Sequence, residues 1–409
     1  MTLREDADYI IDKAIKKVLP DEAVKRALEG FDAQNVRVIS IGKAAWRMAR
    51  AAYDVLGERI EEGVVITKYG HSEGDIPRMV CCEAGHPVMD ESSIAATRKA
   101  IETVSGLNES DTVLFLISGG GSALFEKPLV DISEIQSITK QLLAGGADIV
   151  EMNTVRKRLS AVKGGRFAKI CEPAKVYSIV LSDIIGDPLS MIASGPACPD
   201  DSSCEDALKI ADRYALKLSD EARELLNTET VKETDNVETV ITGSVRELCK
   251  AAAEAAEELG YTPVILTDAL DCEAKDAGRF LGAIAKTWAA SGQSLAFIAG
   301  GETVVRLCEN CGKGGRNQEI ALAAAEELEG LENAAVFSVG SDGTDGPTDA
   351  AGGYADGHTK SRMSEAGISI YDALQRNDAY NALEASGGLI VTGPTGTNVN
   401  DVSVALIRA

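Results

Sequence analysis

The chain has 409 residues and a formal net charge of -23, and it holds no apolar run approaching the about 18 residues that a membrane span needs. That length exceeds one ordinary core and calls for more than one domain. The acidity excludes nucleic acid and anionic membrane as partners, since both demand a basic footprint, and nine scattered cysteines, an odd number, imply reduced thiols in a cytoplasmic protein.

Ile10, Ile11, Ala14, Ile15 and Val18 fall at helical spacing and predict an amphipathic helix that ends before Pro20. Val36 to Ile41 reads as a strand that Gly42 ends, so Lys43 stands at a strand-to-helix junction. It is either a solvated first-turn lysine or, if its strand lies parallel to the one that ends in glycines below, a cation at the ligand-binding edge of a sheet. Strands from Gly63 and from Met79 follow. His86, one of three histidines, then sits in a turn beside Pro87, as a satisfied loop residue or as an acid-base group.

Val113 to Ile117 is an unbroken apolar run of strand length, which suits a parallel strand buried on both faces. It stops at Ser118, Gly119, Gly120, Gly121 and Ser122. Without Cβ atoms this backbone can form a concave nest of N–H donors for phosphate or carboxylate, with the serine hydroxyls adding donors; a tight strand-to-helix turn would use the same glycines. Further on, Asn153 leads into Arg156, Lys157, Arg158, Lys163 and Arg166, a cationic run that stands out in an acidic chain. It reads as an anion site or as a solvated helix C-terminus. The strand Val176 to Leu181 ends near Asp183 and Asp187, carboxylates suited to a metal, to proton abstraction from a hydroxyl, or to an Asx-turn.

Residues Asn227 to Glu238 are polar and acidic and predict a linker between domains 1–235 and 236–409, the second opening with a strand at Thr239 to Ile241. A strand from Ser294 to Ala299 leads to Glu302. Cys308 and Cys311 lack the further ligands of a zinc site and read as loop. Glycines then precede Arg316 and Asn317 at the start of an alanine-rich helix, a placement suited to phosphate. Asp342, Asp345 and Asp349 lie among glycines after the next strand, and either hold a divalent metal or sugar hydroxyls, or are turn residues. Neither a P-loop nor a dinucleotide fingerprint is present, so any nucleotide is bound another way.

Taken in order, the stretches GKAA at Lys43, GHPVMD at His86, LISGGGSAL at Ser118, EMNTVRKRLSAVKGG at Asn153, SDIIGD at Asp183, ASGPACPD at Ser194, GGETVV at Glu302, GKGGRNQE at Arg316, SDGTDGPTDAAGG at Asp342 and TGPTGTNVND at Thr392 resemble the class II glycerate kinases, the glycerate 2-kinase family with a C-terminal MOFRL domain. The resemblance covers nearly the whole chain; it departs at Ala197 and Cys198 and at Ile184 and Ile185, where the family pattern has other residues. The expected fold is α/β with two α/β domains: an N-terminal Rossmann-like three-layer αβα domain with a mainly parallel sheet, and a smaller C-terminal domain with a mixed sheet.

The resemblance implies transfer of the γ-phosphoryl group of ATP to D-glycerate, giving 2-phosphoglycerate, with Mg2+ or another divalent cation, in a monomer or homodimer. It implies that Lys43 and Arg316 are catalytic, on either side of an interdomain cleft. Asp183 or Asp187 would take the hydroxyl proton. The substrate- and phosphate-binding set would be Ser118, Gly119, Gly120, Gly121, Ser122, Asn153, Arg156, Lys163, Glu302 and Asn317, and Asp342, Asp345 or Asp349 would hold the metal. Two other readings stand beside it: an NAD(P)H-dependent hydroxypyruvate reductase, which the missing fingerprint disfavours, and a non-catalytic metabolite-binding protein using the same loops.

Overall fold

The apolar runs of the N-terminal half become the strands β1 (Val36–Ile41), β2 (Ile60–Lys68), β3 (Met79–Ala84), β4 (Thr112–Ile117), β5 (Lys175–Leu181) and β6 (Val237–Gly243) in a computed structural model that describes residues 2–409. They form one sheet in the order β3-β2-β1-β4-β5-β6, and the pairings from β3 through β5 are all parallel. Alternation along β4 shows why its run is unbroken: Leu114 and Leu116 join one core cluster with the helix Ala45–Leu56, while Phe115 points the other way, against Phe125 and Phe167. Both faces are covered, as a parallel sheet requires.

The strand expected to open the second domain is instead the edge of this first sheet, beside β5. Asn236 steers it there. Its side chain donates to the carbonyls of Ala168 and Ala174, and its own carbonyl accepts from the Val176 N–H at 2.8 Å.

The second unit is built on β7 (Thr262–Leu270), β8 (Leu295–Gly301), β9 (Ala334–Gly340), β10 (Gly352–Asp356), β11 (Leu389–Ile390) and β12 (Asp401–Ile407), in the order β11-β10-β9-β12-β8-β7. The sheet is mixed: β7 and β8 are parallel, while β12 runs antiparallel to both β8 and β9. The alanines of Arg316–Leu328 let a neighbouring helix approach so closely that a Cβ on its Gly278 would lie 2.2 Å from the Ile320 carbonyl oxygen.

The two compact units are discontinuous in sequence, whereas the expected domains were single segments. One comprises Ala23–Ser182 and Asp187–Thr242; the other comprises the chain up to Glu22, Asp183–Gly186 and Gly243–Ala409. The N-terminal helix Leu3–Lys17 therefore belongs with the C-terminal sheet, where Ile10, Ile11 and Ala14 share a core with Leu248, Ala252, Phe337 and Val404. Among the described residues no helix is long and apolar enough to cross a membrane.

Candidate active site

In a sheet of this order the connections leave β1 and its neighbour β4 in opposite directions, which opens a crevice at their carboxyl ends. Ile41 of β1 is paired with Ile117 of β4, so both strands stop at one level and bring the Lys43 and glycine loops side by side. Hydrogen bonds join them. Lys43 N–H donates to the Gly119 carbonyl (2.9 Å) and Ala44 N–H to Ser118 Oγ (3.1 Å), which in turn donates to the Ile41 carbonyl (3.1 Å). Gly42 has to be glycine: its φ is +112°, and a Cβ would lie 2.2 Å from Ser118 Oγ. Ser118 is thus a tie between the loops.

Gly120 is left-handed, with φ +89°, and a short helix Gly121–Leu124 follows. Among the described residues no carbonyl accepts from the N–H groups of Gly120, Gly121 or Ser122. Beside them stand the His86 ring, whose Nε2 is 3.0 Å from where a Gly120 Cβ would be, and the Lys43 stem at 3.4 Å. Lys43 has no carboxylate partner among the described residues. Burial, then the charges of Lys43, Lys68 and His71, hold His86 below the usual histidine range.

Four of the five cations between Arg156 and Arg166 are internal struts. Lys157 pairs with Asp200 at 3.1 Å, and Arg158 lies 3.6 Å from Asp200 while donating to Ser202. Arg166 donates to the carbonyls of Lys157, Arg158 and Ser160. Lys163, expected among the anion-binding residues, is wholly buried: its ammonium meets Glu126 at 2.8 Å and the carbonyls of Ser122 and Phe125 at 2.9 and 3.0 Å. It holds the glycine loop from behind, with its donors used. Arg156 alone keeps spare capacity beside the loop, donating from Nη2 to the Ser122 carbonyl at 3.3 Å while its Nε has no partner.

Ser122 and Asn153 are linked through a residue that the sequence reading passed over. Ser194 Oγ donates to Asn153 Oδ1 at 2.9 Å and lies 3.1 Å from Ser122 Oγ. Ala193, Ser194 and Gly195 have φ of 50°, 62° and 65°, an unfavourable run for non-glycine residues, pinned by N–H groups of Gly164 and Gly165 on the carbonyls of Ser194 and Gly195. Such strain persists where the surroundings over-determine it and is concentrated at functional sites. The signal was its place in the ASGP stretch. Asp187 is also left-handed, φ 52°, and its Oδ1 is buried without a hydrogen-bond partner. Asp183 falls in the C-terminal unit instead.

In that unit Arg316 opens the helix Arg316–Leu328. Its Nε and Nη2 donate to the two oxygens of Asp401 at 2.5 and 3.1 Å, and Nη1 donates to Glu302 at 2.7 Å. Asp401, opposite Gly301 and Gly340 where three strand ends meet, is the partner that sequence spacing could not reveal. Burial outweighs the pull of Arg316 and pushes Asp401 up to about 6, while the pair holds the Arg316 proton more tightly against the same burial.

The helix N-terminus read as a phosphate site is already occupied from within. Asp345, buried, accepts from the N–H of Asn317 at 3.1 Å and of Gln318 at 2.8 Å. The Asn317 amide, buried too, donates to Asp345 and accepts from Ser338. Asp342 accepts from Thr344 N–H within its own turn, and Asp349 is exposed beside Tyr380 and Lys313. The three aspartates are not brought together as one ligand set, and among the described residues no group of three or more His, Cys, Asp or Glu side chains could cage a metal.

The glycine loop and Lys43 thus stand at the switch point of an α/β sheet in Rossmann order, the place where open sheets of this kind bind their ligands. Residues 6–227 match a domain of unknown function (DUF4147) and residues 295–401 match the MOFRL family. The D-glycerate 2-kinase of Thermotoga maritima is 52% identical, with 99% of each chain covered, and the solved structure of a glycerate kinase from that organism superposes with a TM-score of 0.95 over 99% of both chains. The glycerate 2-kinase of Pyrococcus horikoshii is 41% identical over 100% of this chain and 98% of its own. A protein of Agrobacterium vitis, provisionally named a hydroxypyruvate reductase, is 39% identical over 100% of this chain and 95% of its own. The chain belongs to the glycerate 2-kinase family, with a MOFRL domain in its C-terminal part.

Proposed function

We propose that the protein is a kinase that transfers the γ-phosphoryl group of ATP, presented as its Mg2+ complex, to the 2-hydroxyl of D-glycerate. The observation that carries this reading is Lys43, without a carboxylate partner among the described residues and tied by its own backbone N–H to a glycine loop whose next three N–H groups meet no carbonyl among them. Phosphoryl transfer asks a protein for cations on the phosphate oxygens and an acceptor held in line, and for little covalent chemistry. Lys43, Arg156 and the loop N–H groups would bind anionic oxygens. Arg316 uses three of its five N–H donors on Asp401 and Glu302; the other two would neutralise the transferring group. Asp187, with an orphaned carboxylate oxygen, would take the hydroxyl proton, and Asp183 is the second candidate.

The relatives named as glycerate kinases support the substrate pair. With no protein cage for a metal at the three aspartates, the reading has Mg2+ arrive as part of the nucleotide substrate.

The test is glycerate-dependent ADP formation with product analysis, run beside NAD(P)H oxidation by hydroxypyruvate. ADP together with 2-phosphoglycerate establishes the kinase. Accumulation of 3-phosphoglycerate would move the acceptor to the other hydroxyl, and NAD(P)H oxidation without ADP would favour the reductase reading that the Agrobacterium vitis relative's name carries.

A further inference from the structure

Two of the chain's three histidines, His71 and His86, lie in the loops around Lys43. The edge of the His86 ring lies against the bare Cα of Gly120, with Cδ2 and Nε2 both 3.0 Å from the missing Cβ. Neither ring nitrogen has a hydrogen-bond partner among the described residues. The charged or titratable groups that act on it are Lys43, Lys68 and His71. The two nearest carboxylates in sequence are already spent: Glu83 accepts from the N–H groups of Gly70 at 2.9 Å and Ser72 at 3.1 Å, and Asp90 accepts from Tyr69 Oη at 2.8 Å and Ser93 N–H at 2.9 Å.

We propose that His86 is an anion-binding residue of the glycine loop and takes up a proton from solvent when a carboxylate or phosphate enters the cradle. The inference rests on the phosphoryl-transfer reading for the identity of the anion, which is either the acceptor's carboxylate or a phosphate of the donor. The electrostatics give the direction. Burial, then the charges of Lys43, Lys68 and His71, disfavour the imidazolium. An anion beside it cancels that repulsion and favours the imidazolium, so binding and protonation are linked. Affinity for the anion then rises as pH falls and the imidazole takes up its proton.

Isothermal titration calorimetry of the full chain with D-glycerate and with MgATP, each in two buffers of different ionisation enthalpy, counts the protons taken up. The expected result is uptake with one of the two ligands, together with a KM for that ligand that falls about tenfold across the acid limb. His86→Gln keeps a hydrogen-bonding group near Nε2. It should abolish the uptake and flatten the KM profile, and comparing variant with wild type at each pH cancels the ligand's own titration. Lys68→Met removes one opposing charge and should move the limb to higher pH. If His86→Gln does not fold, His86→Asn and Lys68→Met still read the linkage. Identical pH profiles in wild type and variants, or no proton uptake with either ligand, would overturn the proposal. Proton-linked binding without glycerate-dependent ADP formation would instead refute the kinase and leave His86 as assigned.

Discussion

Arg316 grips Asp401 through two parallel N–H···O contacts of 2.5 and 3.1 Å, so the guanidinium plane is fixed before any substrate arrives. Arg316→Ala should lower turnover by about 10³ to 10⁵, the range for an arginine that stabilises a transferring phosphoryl group, and a loss smaller than about tenfold would remove it from the chemistry. Arg316→Lys keeps the charge and loses the fork, and should recover little of that activity.

Asp401 carries the pH dependence of this grip. Burial places its carboxyl at about 6. As pH falls through that value the carboxylate gains a proton and loses its hold on Arg316, so kcat should decline on the acid side. In Asp401→Asn that limb should vanish, at a kcat already reduced at neutral pH. Because the folded value is raised, the same group adds stability that is fully present below the ordinary aspartate range and is lost as pH rises through about 6. An acid limb surviving unchanged in Asp401→Asn would assign it to another group.

Behind the glycine loop, Lys163 and Glu126 form a buried ion pair at 2.8 Å. Lys163→Met strands a carboxylate in the core and should cost about 3 to 5 kcal/mol in denaturant unfolding. The double substitution Lys163→Met with Glu126→Gln should recover most of it. If the single variant loses substrate affinity but no stability, Lys163 contacts the ligand instead.

Asp345 caps the helix that Arg316 opens. Asp345→Ala should cost about 0.5 to 2 kcal/mol of stability, and the Mg2+ concentration giving half-maximal activity should not move. A large shift in that concentration would restore Asp345 as a metal ligand.

Gly120→Ala places a methyl group 3.0 Å from the His86 ring on backbone with φ +89°. It should weaken anion binding and cost at least about 1 kcal/mol. Isothermal titration of D-glycerate and thermal unfolding report the two effects separately.

The parallel sheet was legible because local chemistry specifies it: Val113 to Ile117 has to be buried on both faces, and the glycines after it permit φ values that other residues resist. Lys43 could be placed at the carboxyl edge of the sheet from its position after β1, beside the glycine loop once the two strands proved parallel. What the sequence concealed was pairing across distance. The cationic run looked free because the carboxylates that neutralise it, Asp200 and Glu126, come from elsewhere in the chain. Arg316 looked like a lone cation at a helix start because Asp401 lies 85 residues away, and Asp345 looked like a loop carboxylate because its N–H partners precede it by 27 and 28 residues. The edge strand β6 was given to the wrong sheet, since its side chains carry no mark of which neighbour Asn236 will set beside them.

The helix Leu3–Lys17 packs on Leu248, Phe337 and Val404, residues that are synthesised only after every strand of the first sheet. Until they are made its apolar face lacks these partners, while the first sheet can complete itself as soon as β6 is made. A nascent chain stalled after Gly243 should therefore hold a folded sheet and an exposed Leu3–Lys17 helix, a state that chaperones would recognise and that removal of that helix would erase.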